Sequence, residues 1–387
     1  MTPTRRSFLR TSVLSLLGAL VLPRSSIGTG AGNDAPNLSA LLPPDANGVR
    51  LPAGYRSRII AITGSQVTPQ SDYVWHKDPD GGATYATEDG GWVYVSNSEA
   101  YRPKRTGGVG AIRFNASGDI VDAYSILRGT TSNCAGGATP WNTWLSCEEY
   151  EKGQVWECDP FGKAPAIVRP ALGTFAHEAV AVDTKHHQLY MTEDRPDSCL
   201  YRFTPKHISS GGKLDLSSGT LAVAIMNRSS STVSWLPVPD PWAIREPARY
   251  QVSTAARFNG GEGIVYGSGI VSFATKGDNR IWAYDTNTQQ LTIVYDASTH
   301  SNPILTGVDN VALNAKGELI VAEDGGDMQI VTLANNAVTP LLQVVGQSAS
   351  EITGPAFSPD YSRLYFSSQR GKNGTYKGIT YEITRES

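Results

Sequence analysis

Residues 134–149 read CAGGATPWNTWLSCEE, and this stretch decides the fold. A metal-capable residue, Cys134, precedes two hydrophobic strand segments joined by a turn, and the stretch ends on a carboxylate, Glu149. The same order recurs in Glu178–Glu193 and Asp309–Glu323, where the closing acid lies fourteen or fifteen positions after the first residue. Because the two strands of a hairpin run out and back, residues with this spacing lie at the same end of the hairpin. Several such hairpins around one axis would gather their acids into a ring, so the repeat predicts a metal site.

The composition favours one large all-β domain. The chain has 387 residues, of which 40% are hydrophobic and 18% charged, and this is ample for a large core. Its 39 Gly, 17 Tyr and 8 Trp favour strands and turns over helices. The net charge is -3 and no run of Lys and Arg forms a basic patch, which argues against binding to nucleic acid or to a membrane surface.

The N-terminus reads as an export signal. Arg5-Arg6 is followed by Phe8-Leu9 and by an apolar run from Val13 to Leu22, a pattern similar to a twin-arginine signal peptide. A chance arginine pair in an ordinary secretory signal is the alternative. The run is shorter than the roughly 20 residues of a membrane span, so we expect no stable membrane insertion. We predict recognition by the twin-arginine export machinery and a periplasmic or secreted protein. The expected divisions are a signal peptide in residues 1–31, a linker in 32–50 and one domain in 51–387.

Past the linker, short hydrophobic strands alternate with turn residues. Units of up to four strands recur at about forty to fifty residues, which predicts a six-bladed β-propeller. The predicted unit starts are Gly82, Cys134, Glu178, Glu262, Asp309 and Gly354. The wide gap after the third start predicts an insertion between the third and fourth blades, in about residues 205–256, and Tyr55–Ile62 is predicted to pair with the last blade and close the ring. A pair of two-sheet sandwiches is the alternative, but sandwiches lack a fixed unit period.

In a propeller the innermost strand of each blade runs along the central channel, so its first residue and the end of the second strand meet at one mouth. The predicted mouth residues are Cys134, Glu178, Glu262 and Asp309 on first strands and Glu99, Glu149, Glu193 and Glu323 on second strands. Unpaired carboxylates would repel one another, so such a set indicates bound cations. Oxygen ligands suit Ca²⁺, Mg²⁺ or Fe³⁺, and a thiolate favours a redox-capable metal. The alternative for any one acid is that it caps a turn or faces water.

Three motifs around these residues carry a family resemblance. They are Asn133–Glu149, then Phe175–Val180 with Tyr190–Asp194, then Gly261–Gly263 with Val308–Asn310 and Ala322–Gly326. Together they resemble the signature of the PhoX family of bacterial alkaline phosphatases, from about Asp45 to the end of the chain. The resemblance implies a channel mouth that holds iron and calcium and hydrolyses small phosphate esters. The metal ligands that the resemblance implies are Cys134, Glu149, Glu178, Glu262 and Asp309. Further candidates for calcium are Glu193, Asp194, Glu323 and Asp324. It assigns no catalytic residue here.

The chain departs from the family pattern two residues before Glu262. The larger PhoX phosphatases have an Arg two residues before the Glu that matches Glu262, whereas this chain has Gly260, and Arg257 and Arg195 are candidates to bind phosphate instead. The alternative function is a metal-binding propeller without phosphatase activity, either a binding module or a lactonase-like hydrolase. Cys147 and Cys158 flank a turn and are candidates for a disulfide.

Overall fold

The structure, a computed structural model, describes residues 41–101, 105–301 and 303–386. These residues form 26 β-strands and three short 3₁₀ helices. The helices are Pro170–Leu172, Ala248–Tyr250 and Lys276–Asp278. The predicted signal peptide lies outside the described residues, and none of the described helices is long and apolar enough to cross a membrane.

The strands form six antiparallel sheets, which are the blades. In chain order, β1 is Val49–Arg50 and β2 is Tyr55–Ile62. Blade 1 contains β3 (Pro79–Ala86), β4 (Trp92–Ser98), β5 (Gly107–Phe114) and β6 (Ile120–Thr130). Blade 2 contains β7 (Asn133–Ala138), β8 (Trp144–Glu148), β9 (Val155–Cys158) and β10 (Ile167–Val168). Blade 3 contains β11 (His177–Asp183), β12 (Gln188–Glu193), β13 (Tyr201–Pro205), β14 (Gly219–Asn227) and β15 (Thr232–Pro237).

The remaining blades repeat the meander. Blade 4 contains β16 (Gly261–Gly267), β17 (Ile270–Thr275), β18 (Arg280–Asp285) and β19 (Leu291–Asp296). Blade 5 contains β20 (Val308–Leu313), β21 (Leu319–Glu323), β22 (Gln329–Ala334) and β23 (Ala337–Val344), with β1 at its outer edge. Blade 6 contains β24 (Ile352–Phe357), β25 (Arg363–Ser368) and β26 (Ile379–Arg385), with β2 at its outer edge. Each innermost strand packs on that of the next blade, and β24 packs on β3. The predicted six-bladed β-propeller is therefore confirmed.

The N-terminal strands close the ring. Strand β2 pairs antiparallel with β26, with Tyr55 opposite Arg385, as the sequence predicts. Strand β1 pairs with β23, with Val49 opposite Val344. The predicted linker therefore ends before residue 50, because Val49 and Arg50 belong to blade 5.

The connection between the third and fourth blades is long, but it is shorter than the sequence suggests. Strands β14 and β15 lie within residues 205–256 and extend blade 3 to five strands. The polar segment Asn227–Ser231 forms the turn between them. The remaining connection, residues 238–260, is tied to the propeller by backbone hydrogen bonds such as that from Phe258 N–H to Ser198 O.

Six hydrophobic clusters fill the spaces between neighbouring blades. The cluster between blades 6 and 1 shows the closure, because Tyr365 of β25 packs with Trp92, Tyr94 and Phe114. Each blade thus buries both faces of its sheet, which explains the nearly continuous burial of strands such as β4.

All four cysteines are free thiols, so the predicted Cys147–Cys158 disulfide is not formed. Trp144 pairs with Cys158 and Cys147 pairs with Val155, which places the two sulfurs on opposite faces of blade 2. Cys147 packs between blades 2 and 3, and Cys158 packs between blades 1 and 2.

Candidate metal centre

A bulge near the start of each innermost strand shapes the channel mouth. In β11, His177 pairs with Glu193 and Val180 pairs with Met191, so three steps on one strand match two on its partner. The same irregularity occurs in the innermost strands of the other five blades. A bulge redirects side chains at the rim of a sheet, and acids and a thiol occupy these positions in blades 1 to 5.

Two sets of six equivalent positions surround the mouth. The first ring is the second residue of each innermost strand and contains Asp80, Cys134, Glu178, Glu262, Asp309 and Thr353. The first residue of each innermost strand pairs with a residue of the second strand, and the second ring consists of the residues directly after these partners. Its members are Glu99, Glu149, Asp194, Lys276, Asp324 and Gln369. Every second-ring N–H donates to the residue just before the innermost strand, as from Glu149 N–H to Ser132 O at 2.7 Å. The six-fold backbone pattern therefore fixes the backbone positions from which both sets of side chains extend.

The acids and the thiol form four overlapping groups in which potential ligand atoms lie within 4.8 Å of one another. The groups are Asp80, Glu99 and Cys134; Cys134, Glu149 and Glu178; Glu178, Glu262 and Asp309; and Asp309, Asp324 and Glu351. Successive groups share a residue, so the ligand set runs continuously around the mouth. The structure thus brings together the five main predicted ligands with the predicted mouth residue Glu99 and the calcium candidate Asp324, and it adds Asp80 and Glu351.

The electrostatics of this centre indicate a shortage of positive charge. Burial raises the pKa of six carboxyl groups, and neighbouring acids raise it further in each of them. The six are Asp80, Glu149, Glu178, Glu262, Asp309 and Glu351. The pKa reaches about 8 for Glu149 and about 7 for Asp309. Burial and nearby acids also raise the pKa of the Cys134 thiol. Cations bound here would displace protons and relieve this repulsion.

Close packing of blades positions Cys134. The Asn97 side chain donates to the carbonyls of Cys134 and Ala135 at 3.0 and 2.7 Å, which holds the start of β7 against blade 1. Gly137 lets β7 approach β11, because a Cβ at this residue would lie 2.0 Å from the Val180 carbonyl oxygen. The thiol then lies 3.3 Å from Glu178 Oε1. The contact between blades 2 and 3 thus requires a glycine at residue 137.

Glu193 and Glu323, which the sequence offered as calcium ligands, stand outside the four groups in the part of the chain that the structure describes. Glu193 binds Arg249 Nη1 at 3.0 Å and accepts a hydrogen bond from Tyr201 Oη at 2.9 Å. Glu323 accepts the backbone N–H groups of Thr306 and Gln329 at 3.0 and 2.9 Å. Each pairs with the first residue of its innermost strand, one position before the second ring. The adjacent Asp194 and Asp324 hold the second-ring positions instead.

Within residues 41–101, 105–301 and 303–386, three cationic side chains lie among the acids. Lys276 Nζ is 2.8 Å from Glu262 Oε1 and 3.3 Å from Asp324 Oδ2. Arg195 Nη1 is 3.4 Å from Glu149 Oε1, and Arg370 Nη2 is 2.7 Å from Glu351 Oε1. Burial opposes the charged form of Lys276, but the surrounding carboxylates raise its pKa.

Arg195 and Arg257, the two candidates to bind phosphate, lie at different places. Arg195 lies in the mouth, whereas Arg257 donates to Asp197 O at 3.1 Å and contacts Cys199 Sγ at 3.4 Å. Gly260 has a φ of +69°, a left-handed conformation that favours glycine, and it precedes the innermost strand of blade 4.

His177 precedes Glu178, and its ring packs against the loop before β11. Its Nε2 is 3.1 Å from Gly173 O, and its ring stacks on Phe175 with centroids 3.6 Å apart. Burial lowers its pKa to about 3, so the imidazole is neutral. It supports the loop before β11.

Sequence reasoning missed Asp80, Glu351 and Lys276. Asp80 lies two residues before the predicted start of blade 1, and Glu351 directly precedes β24. Lys276 begins a 3₁₀ turn that reads as an ordinary hairpin connection. The signal that could have found it is its position directly after the second strand of blade 4, which matches Glu149 in blade 2.

Comparison with known proteins agrees with this geometry. The family model described as "Alkaline phosphatase PhoX" matches residues 70–164 and 151–294, which together span more than half of the chain. The chain belongs to the PhoX family. This PhoX-family protein is similar in structure to Pseudomonas fluorescens PhoX in complex with vanadate, a transition-state analogue. The TM-score is 0.73 at 17% sequence identity, over 89% of this chain and 97% of the other.

The propeller also resembles a gluconolactonase from Xanthomonas campestris, with a TM-score of 0.51 at 11% identity over 90% of this chain and 98% of the other. No curated protein matches the sequence. At these identities the structural matches establish the shared fold.

Proposed function

We propose that this PhoX-family protein is an exported, metal-dependent phosphatase that hydrolyses small phosphate esters at iron and calcium ions in the channel mouth. The observation that carries the proposal is the continuous set of acids around Cys134. These acids come from successive blades and lie close together, beside cationic side chains. Membership of the PhoX family supports the reaction class.

The donor set fits the proposed ions. Carboxylate oxygens dominate, which suits calcium, and a single thiol beside Glu178 suits a redox-capable metal such as iron. Burial and neighbouring acids raise the pKa of Asp80, Glu178 and Glu262, and bound cations would stabilise their charged forms. We propose Cys134, Glu149, Glu178, Glu262 and Asp309 as iron and calcium ligands. Asp80, Glu99, Asp324 and Glu351 complete the groups, and Asp194 is a further candidate.

When bound, such ions would neutralise the charge that develops on the phosphoryl oxygens and activate a nucleophile. The protein itself holds the acids in place by the six-fold backbone pattern and presents cationic side chains to the substrate. Arg195 and Arg370 occupy equivalent positions, one residue after the second ring, in the opposite blades 3 and 6. Their guanidinium groups present N–H donors suited to phosphate oxygens.

The proposal includes export through the twin-arginine route, for which the adjacent Arg5 and Arg6 are the support. Replacing both with Lys is expected to leave the protein in the cytoplasm, and this can be measured by immunoblotting of cell fractions. Release of the doubly substituted protein at the wild-type level would contradict the twin-arginine route and favour an ordinary secretory signal.

The direct test uses full-length protein purified after native export. Its metals are measured by mass spectrometry, and hydrolysis of a chromogenic phosphate ester is measured with and without added calcium. We expect iron, calcium and turnover that a chelator abolishes, and we expect Glu178→Gln to lose both metals and turnover. Lys316→Met, which alters the exposed β20–β21 turn, is the matched control. Bound metals with no turnover of phosphate esters would overturn the phosphatase, and turnover of a lactone instead would favour a lactonase-like hydrolase.

A further inference from the structure

Lys276 breaks the pattern of the second ring. That ring holds acids in blades 1, 2, 3 and 5 and an amide in blade 6, whereas blade 4 places a lysine at the position of Glu149. An ammonium group has three donor protons and no lone pair, so it cannot bind a cation. A lysine among metal-binding acids therefore either offsets their charge or binds an anion.

The backbone of Lys276 is fixed while its side chain can move. The Lys276 N–H donates to Gly260 O at 2.8 Å, and the next N–H, from Gly277, donates to Asn259 O at 2.9 Å. The side chain of Thr275 further holds this turn by donating to Asp278 Oδ1 at 2.5 Å. A flexible four-carbon stem thus starts from a rigid point, and the ammonium can exchange partners without a change in the backbone.

The Lys276 side chain reaches the acids from the solvent side. About a third of it is exposed (34%), compared with 3% of the Glu262 side chain that it contacts. Its other partner, Asp324, is also partly exposed, at 30%. The Lys276 side chain therefore links the buried Glu262 carboxylate to the solvent-exposed side of the mouth.

We infer that Lys276 binds an oxygen of the substrate phosphate, and that Glu262 and Asp324 hold its ammonium until a metal ion binds Glu262. This inference rests on the proposed phosphatase function. A metal ion bound at Glu262 neutralises much of the carboxylate charge and repels the nearby ammonium, so it weakens the ion pair and frees Lys276 for an anion. Metal binding and phosphate binding are thereby coupled through one side chain.

The test compares Lys276→Met, which removes the charge but keeps a long stem, with Lys276→Arg and with the control Lys316→Met. Calorimetry measures the binding of calcium to each metal-free protein and of inorganic phosphate to each metal-loaded protein. For Lys276→Met we expect calcium to bind on the order of tenfold more tightly and phosphate on the order of tenfold more weakly. Lys276→Arg should bind phosphate nearly as wild type, since it keeps the charge, and Lys316→Met should match wild type in both titrations.

The outcomes separate this inference from the proposed function. Weaker phosphate binding by Lys276→Met in a protein that hydrolyses no phosphate ester would support the role of Lys276 and overturn the phosphatase. Ester hydrolysis with unchanged KM and unchanged phosphate affinity in Lys276→Met would overturn the role of Lys276 alone. Circular dichroism and retained calcium binding show that the variant is folded, and Lys276→Gln is a second uncharged variant for the same measurements.

Discussion

The Cys134 sulfur lies 3.3 Å from Oε1 of Glu178, the equivalent residue of the next blade. The thiol belongs to two of the four groups, and it therefore connects Asp80 and Glu99 of blade 1 with Glu149 and Glu178. Removal of this sulfur removes the one thiol from these groups, while the carboxylates remain in place.

Cys134→Ser is expected to lose iron while it retains most of its calcium. A hydroxyl of similar size leaves the oxygen-rich groups intact, but it removes the thiolate that favours a redox-capable metal. Metal analysis of the purified variant measures the change. Cys147→Ser alters a buried thiol of the same blade that faces the hydrophobic core, and it should keep wild-type metal content. Wild-type iron in Cys134→Ser would contradict the assignment of the sulfur.

Glu193→Gln should lower stability without loss of metal. Glu193 is fully buried and binds Arg249, whose side chain is 9% exposed and also pairs with the more exposed Glu151 and Asp197, so its neutralisation removes the fully buried partner of this cation. Breaking such a pair costs about 3 kcal/mol. Urea unfolding measures the free energy change, and metal analysis provides the second readout. Glu178→Gln should show the opposite result, with lost metal and a smaller change in the stability of the metal-free protein.

The contrast between Glu193 and Asp194 shows what the sequence could and could not predict. Strand alternation and turn residues are local signals, and they located all six blades and the closing strand β2. The spacing rule selected Glu193 and Glu323, yet the second ring holds Asp194 and Asp324. A shift of one residue turns a strand side chain to the other face, and a bulge adds a residue without a sequence signal. Asp80 was missed because no hydrophobic run marks its position, and Lys276 was missed because a lysine after the second strand of blade 4 reads as part of an ordinary hairpin turn.

The metal-free protein should become less stable as the pH rises from about 5 to 9. Carboxyl groups with a raised pKa in the folded state bind protons more strongly than the unfolded chain, whose acids titrate near 4. Their stabilising contribution is complete below the unfolded value and is lost as the pH rises through the folded values. These values are about 7 for Asp309 and about 8 for Glu149, and both are raised mainly by burial.

Urea midpoints at several pH values, with a chelator present, measure this loss. Metal-loaded protein should show a nearly flat profile, because bound cations keep the carboxylates charged at all of these pH values. Glu149→Gln should make the metal-free profile less steep between about pH 5 and 8, where the Glu149 carboxyl is protonated in the folded protein and ionised in the unfolded chain. Stability that rises with pH in the presence of chelator would contradict the proposed repulsion among the acids.

Gly137→Ala should weaken both the fold and the metal centre. A Cβ at Gly137 would lie 2.0 Å from the Val180 carbonyl oxygen, which is backbone of the neighbouring innermost strand and cannot rotate away. Blades 2 and 3 must then separate, at a cost of about 1–3 kcal/mol. The same separation moves Cys134 away from Glu178, so metal affinity should fall together with stability.

The matched control for this change is Gly211→Ala. Gly211 is exposed, and the nearest atom to an added Cβ is Ser209 Oγ at 3.9 Å, so this variant should unfold and bind metal as wild type does. Urea unfolding of the metal-free proteins and calcium calorimetry provide the two measurements. Because Gly137 offers no side chain to a metal, lost affinity in Gly137→Ala can arise only through the distance between the two blades. Wild-type affinity in a destabilised Gly137→Ala would show that the contact between β7 and β11 supports the fold but does not set the geometry of the centre.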